Sequence, residues 1–184
     1  MKLSFLSLLL GCGLAVPQIY ALARPNAFAA TAKKFPRNFA MGVMLMLLGT
    51  AWFVWNVNNE PIADFSAFKK PMMVGFAAVG ILSCVFIPDF LAVRGLAVVL
   101  LLLGKLMVDT GRPHLGESPF VLVFQGWAYV FIVAGIYFTI APWRLRDALN
   151  FATATETRVR IGSALRLAFA IFIVILSLTT FHEM

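Results

Sequence analysis

The chain has 184 residues, of which 61% are hydrophobic and only 12% are charged, and its mean hydropathy is +0.91. Soluble domains carry about 25% charged residues, so this chain lacks the polar surface that a water-soluble globular protein needs. The formal net charge of +7 would suggest a nucleic-acid partner in a soluble protein. Here the basic residues flank apolar runs, as orientation signals of membrane proteins do. We therefore expect a lipid bilayer, and no nucleic acid, around this chain.

Apolar segments occur six times along the chain, and most of them approach the about 20 residues that cross a bilayer as a helix. No stretch between them is long enough to bury a soluble core of its own. The sequence therefore predicts an all-α fold, a polytopic bundle of six transmembrane helices in a single domain over 1–184. In chain order, the predicted spans cover 3–23, 38–57, 72–87, 90–108, 120–141 and 161–181, which form possible hairpin units at 1–57, 72–108 and 120–181.

The third and fourth predicted spans are the shortest. A helix over 72–87 would rise only about 24 Å, less than the about 30 Å thickness of the hydrocarbon core. A bundle of four spans with a re-entrant pair at 72–108 is therefore the alternative architecture. In both architectures, the loops predicted to lie outside the membrane would be on the same side.

The first apolar segment resembles a signal peptide. Lys2 precedes the apolar run, Ala21-Leu22-Ala23 resembles a cleavage site, and Leu9-Leu10-Gly11-Cys12 resembles a lipoprotein box. The segment 24–37, which follows directly, carries only basic charges. Cleavage would place those charges on the translocated side, against the positive-inside rule. We therefore expect the first helix to be retained.

The charges of the loops predict the orientation. Loop 24–37 carries four basic residues and no acidic one, and the amphipathic segment 142–160, which resembles an interfacial helix, carries four arginines against Asp147 and Glu156. The other two polar loops balance their charges, with Glu60 and Asp64 against Lys69 and Lys70, and Asp109 and Glu117 against Arg112. Because basic loops lie in the cytoplasm, both termini are predicted to lie outside.

A faint internal repeat accompanies these loops. Each predicted inner connection begins at a proline and ends with an arginine and a glycine near the next span. The three sets are Pro25, Arg37 and Gly42; Pro88, Arg94 and Gly95; and Pro142, Arg160 and Gly162. Such repeats indicate three related hairpins. The alternative is that any helical hairpin needs a chain break and a positive anchor, without duplication.

The third unit carries a resemblance to known proteins. This unit resembles a family of small two-helix bacterial inner-membrane proteins of unknown function. Two segments carry the resemblance, Ile136-Tyr137-Phe138-Thr139-Ile140-Ala141-Pro142-Trp143-Arg144 and Arg158-Val159-Arg160-Ile161-Gly162. The resemblance covers roughly residues 131–181. It implies a helical hairpin in a bacterial cytoplasmic membrane, and it implies no activity.

One motif points towards catalysis. The segment from Lys105 to Pro113, in which six residues separate Lys105 from Arg112-Pro113, resembles the first motif of membrane phosphatases of the phosphatidic acid phosphatase type. That chemistry also needs a histidine nucleophile and a second histidine with an acidic partner, and the accompanying segments are missing here. The stronger interpretation is that Lys105 snorkels to the interface and pairs with Asp109, four residues later. We expect no enzymatic activity.

The remaining candidate polar residues are His114, Gln125 and Arg166. His114 and His182 lie in predicted outer segments without metal-ligand spacing, so no metal or other cofactor is expected. Arg166 lies about one turn inside the last span, from which it can reach the inner interface. Gln125 is an isolated amide within a span, and no Asp, Glu or His occupies a mid-span position that would suit a proton relay.

Small residues at helical spacing suggest close helix packing. Ser7, Gly11 and Ala15 form a stripe that permits association with a partner or second copy, or packing within the bundle. The two cysteines, Cys12 and Cys84, are expected to pack as free thiols within spans. The first functional hypothesis is a structural or accessory subunit of a membrane assembly. The second is a small transporter or channel for an uncharged or weakly polar solute.

Overall fold

A computed structural model describes residues 2–60 and 68–182 of the chain. This part is all-helical and contains no β-strand, so the predicted fold class is confirmed. Its helices are α1 (Leu3–Ala23), α2 (Pro25–Lys34), α3 (Phe39–Asn59), α4 (Lys69–Phe86), α5 (Leu91–Gly111), α6 (Phe120–Ile140), α7 (Trp143–Ala152) and α8 (Glu156–Leu178). Of the residues discussed above, Asp64 lies outside the described residues.

Six of these helices, α1, α3, α4, α5, α6 and α8, are long and apolar enough to cross a membrane. The two others, α2 and α7, have 10 residues each and are too short to do so. Large apolar side chains are exposed along the spans, which a lipid environment tolerates and water does not. The chain is a multi-pass integral membrane protein.

The third and fourth spans are longer than the sequence predicted. The α4 helix begins at Lys69 rather than 72, and its 18 residues rise about 27 Å, close to the thickness of the hydrocarbon core. The α5 helix extends to Gly111 rather than 108. These lengths favour two spans over a re-entrant pair. A four-residue connection joins them, in which Phe90 has a φ of 55°, an unusual value for a bulky residue.

Side-chain caps determine where two of the spans begin. The Asn38 side chain accepts a hydrogen bond from the Met41 backbone N–H at 3.1 Å, so α3 begins at Phe39. Thr155 accepts one from the Arg158 backbone N–H at 3.3 Å, so α8 begins at Glu156. The predicted start of this span, at 161, was therefore wrong, and the predicted interfacial segment 142–160 is divided between α7 and the first turn of α8.

The chain forms two compact units. The first contains Met1–Lys34, Leu103–Phe131 and Arg146–Met184, and the second contains Phe35–Leu102 and Ile132–Leu145. Each unit is assembled from segments that lie far apart in the sequence. The proposed division into hairpins 1–57, 72–108 and 120–181 follows chain order instead, and it stays a prediction.

The core of the first unit joins both ends of the chain. Its buried members come from α1, α5, α6 and α8 and the residues after α8: Leu3, Leu6, Met107, Val121, Phe124, Trp127, Ala128, Ile173, Leu176 and Phe181. The Phe124 ring lies 6.3 Å from both the Trp127 and the Phe181 rings in edge-to-face geometry. Such pairs add about 0.5–1.5 kcal/mol beyond the apolar area that they bury.

Within the same unit, α1 packs along α8. Ser177 donates a hydrogen bond from its hydroxyl to the Ser4 carbonyl at 2.6 Å. A Cβ at Gly11 would lie 2.8 Å from the Val174 side chain and 3.3 Å from the Ala170 carbonyl oxygen. Ser7 is fully buried on the same side of α1. The small-residue stripe of α1 thus packs within the bundle at Ser7 and Gly11.

Helices of the second unit also approach closely at glycines. A Cβ at Gly42 of α3 would lie 2.7 Å from the Ala92 backbone nitrogen of α5. A Cβ at Gly95 of α5 would lie 2.7 Å from the Met46 backbone nitrogen of α3. Each helix therefore offers a glycine to the other, which allows their backbones to touch. These glycines end two of the three predicted repeat motifs.

Candidate functional site: polar groups at the α5–α6 connection

Most of the predicted functional residues lie where α5 ends and α6 begins. Lys105 and Asp109 occupy the last two turns of α5, and the Lys105 Nζ lies 2.6 Å from the Asp109 Oδ2. Both side chains are about half exposed, at 44% and 54%. An i,i+4 pair at this exposure stabilises a helix by only a few tenths of a kcal/mol (about 0.2–0.5). The predicted pairing of Lys105 with Asp109 is therefore present in the structure.

The connection itself forms a compact polar turn. Arg112–His114 form one turn of 3-10 helix, and Gly116 has a φ of 104°, a conformation that favours glycine. The His114 Nδ1 lies 2.9 Å from the Glu117 Oε2. This hydrogen bond orients the imidazole beside a carboxylate at a half-exposed position. Arg112 is exposed, and within the described residues its side chain forms no ion pair.

Gln125 is buried and connects the two helices. Only 6% of the residue is exposed, and its amide Nε2 donates a hydrogen bond to the Val108 carbonyl oxygen at 3.2 Å. Val108 belongs to the last turn of α5. Gly111 makes this contact possible, because a Cβ there would collide with the Gln125 amide. Gln125 thus ties the end of α5 to α6.

The structure connects these candidates in separate local pairs rather than in one constellation. Lys105 pairs with Asp109, His114 with Glu117, and Gln125 with a backbone carbonyl. Within residues 2–60 and 68–182, no group of three or more His, Cys, Asp or Glu residues is placed to hold a metal ion. The arrangement can hold the end of α5 against α6.

Arg166 lies on a different helix and bonds to its own backbone. Its Nε donates a hydrogen bond to the Gly162 carbonyl oxygen at 3.0 Å, one turn earlier in α8. A Cβ at Gly162 would lie 2.8 Å from the guanidinium, so the glycine provides the space for this conformation. The side chain runs towards the start of α8, the direction that the sequence predicted for snorkelling.

We compared the chain with known proteins. It matches no protein-family model, no curated protein and no solved structure.

Several buried polar groups were not among the predicted residues. The Gln18 Oε1 in α1 and the Ser163 Oγ in α8 are buried, and within the described part of the chain neither has a hydrogen-bond partner. The same holds for the Arg94 Nε in α5. Gln18 could have been noticed as an amide within a span, directly after Pro17. Ser163 gives no comparable signal, because serine is common among small residues that pack between helices.

Proposed function

We propose that this protein is a non-enzymatic accessory subunit or scaffold of a larger membrane assembly. The observation that carries the proposal is the exposure of α4. Among its 18 residues, only Gly80 is buried. No other span within residues 2–60 and 68–182 has so small a buried share. A span attached to its own bundle along one narrow stripe leaves most of its surface for other helices.

The attachment of α4 is confined to one side of the helix. Gly80 lies against the Thr50 side chain of α3, where a Cβ would collide. The Phe76 and Phe53 rings lie 4.8 Å apart in edge-to-face geometry. Lys69, in the first turn of α4, donates hydrogen bonds to the carbonyls of Asn58 and Glu60 at the end of α3. These contacts hold α4 against α3.

The free side of α4 contains small residues. Gly75 is exposed, and a Cβ placed there would meet no atom within 4 Å. Ala78 and Leu82 are exposed three and seven residues later, at helical spacing on the same side. In lipid, small residues favour helix association because they let backbones approach. This surface, Gly75–Ala78–Leu82, suits a transmembrane helix of a partner membrane protein.

The transporter alternative receives less support from the same geometry. The Gln125 amide already donates to the Val108 carbonyl, and the Asn56 amide donates to the Trp52 carbonyl at 3.2 Å within α3. Two amides that could line a solute pathway thus have partners within the protein. The ionisable groups Lys105, Asp109 and Arg166 have local partners as well.

We further propose a bacterial cytoplasmic membrane as the location, with loops 24–37 and 142–160 in the cytoplasm and both ends of the chain outside. The excess of Lys and Arg in these two loops supports the orientation. The resemblance of residues 131–181 to small bacterial inner-membrane proteins supports the location.

The test is the recovery of a complex from membranes in mild detergent, followed by mass spectrometry of the proteins that co-purify. We expect a stable partner with the unmodified chain and its loss with Gly75→Val. Gly126→Val is the matched control, because Gly126 of α6 is equally open and lies on another span.

Equal retention of the partner by both variants would contradict the role of the α4 surface. A purified monomer that conducts a solute across liposomes would instead support the transporter. A complex that contains only this chain would identify the partner helix as a second copy.

A further inference from the structure

A polar groove lies between α2 and the start of α8, within the first compact unit. Its volume is about 410 Å³, within the range of small-molecule sites. Asn26, Ala29, Ala30 and Lys33, which lie on one face of α2, form one wall. The other wall consists of Thr153, Ala154, Thr155, Glu156 and Val159. None of these residues belongs to the α5–α6 connection.

Two side chains in this groove have unused hydrogen-bonding capacity. Within the described part of the chain, neither the Asn26 amide nor the Lys33 ammonium forms a hydrogen bond or ion pair through its side chain. The threonine hydroxyls are already engaged, since Thr153 donates to the Leu149 carbonyl and Thr155 caps α8. The groove therefore presents an amide and a cation, seven residues apart on one helix.

The groove is lined by one cation, Lys33, and one anion, Glu156. Glu156 is its acidic residue, and its Oε1 is paired with Arg160 at 2.7 Å. Arg158 is held away, with its guanidinium 4.5 Å from the centre of the Phe151 ring. Lys33 remains as the cation that lacks a partner. A ligand with a negatively charged, hydrogen-bond-accepting group complements this lining.

We propose that this groove binds the headgroup of an anionic phospholipid. One wall is formed by α2, which lies between α1 and α3, and the other by residues 153–155, which join α7 to α8, together with Glu156 and Val159 in the first turns of α8. Such segments lie at the level of lipid headgroups, and basic pockets between spans bind anionic headgroups. The phosphate would accept hydrogen bonds from Lys33 and Asn26, and the acyl chains would follow the exposed apolar surface of the spans. The proposal does not depend on the α4 surface.

The experiment titrates the purified full chain, in mild detergent, with phosphatidylglycerol or phosphatidylcholine and measures bound lipid by native mass spectrometry. We expect preferential binding of phosphatidylglycerol and about tenfold weaker binding by Lys33→Gln, since this variant loses a charge-assisted hydrogen bond to the phosphate. Lys34→Gln is the matched control, because Lys34 follows directly on α2 but does not line the groove.

A second variant tests the shape of the site without changing its charge. Ala30→Leu places a larger side chain in the groove and is expected to weaken phosphatidylglycerol binding, with an unchanged thermal unfolding temperature. Equal weakening by Lys33→Gln and Lys34→Gln would show a diffuse surface charge and overturn the proposal. Equal binding of both lipids would overturn it as well. Displacement of the lipid by millimolar inorganic phosphate would assign the groove to a soluble phosphate compound instead.

Discussion

Polar side chains within the spans mostly bond to their own helices. Ser7, Thr50, Ser83 and Thr139 each donate a hydroxyl hydrogen bond to the carbonyl four residues earlier. Lipid offers no hydrogen bonds to these hydroxyls, so this local arrangement satisfies them without a second helix. A polar side chain that reaches another helix is therefore a specific packing signal in this protein, and Gln125 is the clearest case.

Replacing Gln125 tests that connection. We expect Gln125→Leu to lower the free energy of unfolding by about 0.6 kcal/mol, and by about 1.7 kcal/mol at most, the range of hydrogen bonds between membrane helices. The measurement is unfolding of the purified protein in mixed micelles of mild detergent and SDS. Asn56→Leu is the control, because its amide bonds within α3, and an equal loss there would contradict an interhelical role.

Gly111 provides a second test of the same contact. A methyl group at this position collides with the Gln125 amide, so Gly111→Ala is expected to remove the hydrogen bond to Val108. The two substitutions should therefore be non-additive when Gly111→Ala and Gln125→Leu are combined. If the changes in unfolding free energy caused by the two substitutions simply add in the double variant, the two residues act independently.

The packing of α1 against α8 can be tested with a matched glycine pair. Gly11→Ala places a Cβ 2.8 Å from Val174, whereas a Cβ at Gly13 meets nothing within 4 Å. Overpacking costs about 1–3 kcal/mol, so Gly11→Ala should lower the thermal unfolding temperature relative to Gly13→Ala. Both variants share the change in helix propensity, which cancels in the comparison. Equal unfolding temperatures would contradict close α1–α8 contact.

At the scale of elements, hydropathy predicted the spans well. The α1 helix matches the predicted 3–23, and α6 ends one residue before the predicted 141. Apolar run length determines these elements directly, because the hydrocarbon core requires it. The starts of α4 and α8 were predicted late, since Lys69 was assigned to a polar loop and Arg158 to an interfacial helix. Charged residues can occupy the first turn of a span when a cap or a snorkelling side chain accommodates them.

Contacts between elements were less predictable. The Ser177–Ser4 hydrogen bond joins residues 173 positions apart, and no local pattern indicates that α8 returns to α1. Of the predicted site, the i,i+4 pairing of Lys105 and Asp109 followed from helix geometry alone. The Gln125–Val108 contact and the groove on α2 could not be derived from helix geometry, since both depend on which faces of separate helices meet. Hydropathy specifies that a helix is buried in lipid, but not its neighbours.

The two short helices provide a test of topology. In a variant without Cys12 and Cys84, single cysteines at Thr31 of α2 and at Asp147 of α7 should react with membrane-impermeant maleimide only from the cytoplasmic side. A cysteine at Leu115, which is exposed in the α5–α6 connection, should react from the opposite side. Labelling of Thr31→Cys and Asp147→Cys from opposite sides would contradict the proposed orientation.

At the scale of the whole molecule, α1 is a structural part of its unit. Leu3, Leu6 and Ser7 are at most 1% exposed, and they share a core with α5, α6 and α8. Removal of this helix would uncover the surface of α8 that packs against Gly11 and leave the Ser177 hydroxyl without its acceptor. Burial of this kind supports retention of the first helix rather than its release as a signal peptide.

Expression of a shortened chain tests this role. A variant that begins at residue 24 is expected to aggregate or to unfold at a much lower temperature than the full chain, as followed by fluorescence-detected size-exclusion chromatography. Intact-mass measurement of the full chain from membranes should retain residues 2–23. A shortened chain as stable as the full one would contradict the structural role of α1.

The hydrogen bond between Ser4 and Ser177 places the first turn of α1 beside the last turn of α8. A short glycine–serine linker could therefore close the backbone into a ring, with new ends opened at the exposed turn around Leu115. Such a circular permutant would retain every helix contact of the first unit while reversing the order in which the ribosome delivers α1 and α8 to the membrane. Comparison with the natural order would separate what translation contributes to assembly from what packing alone achieves.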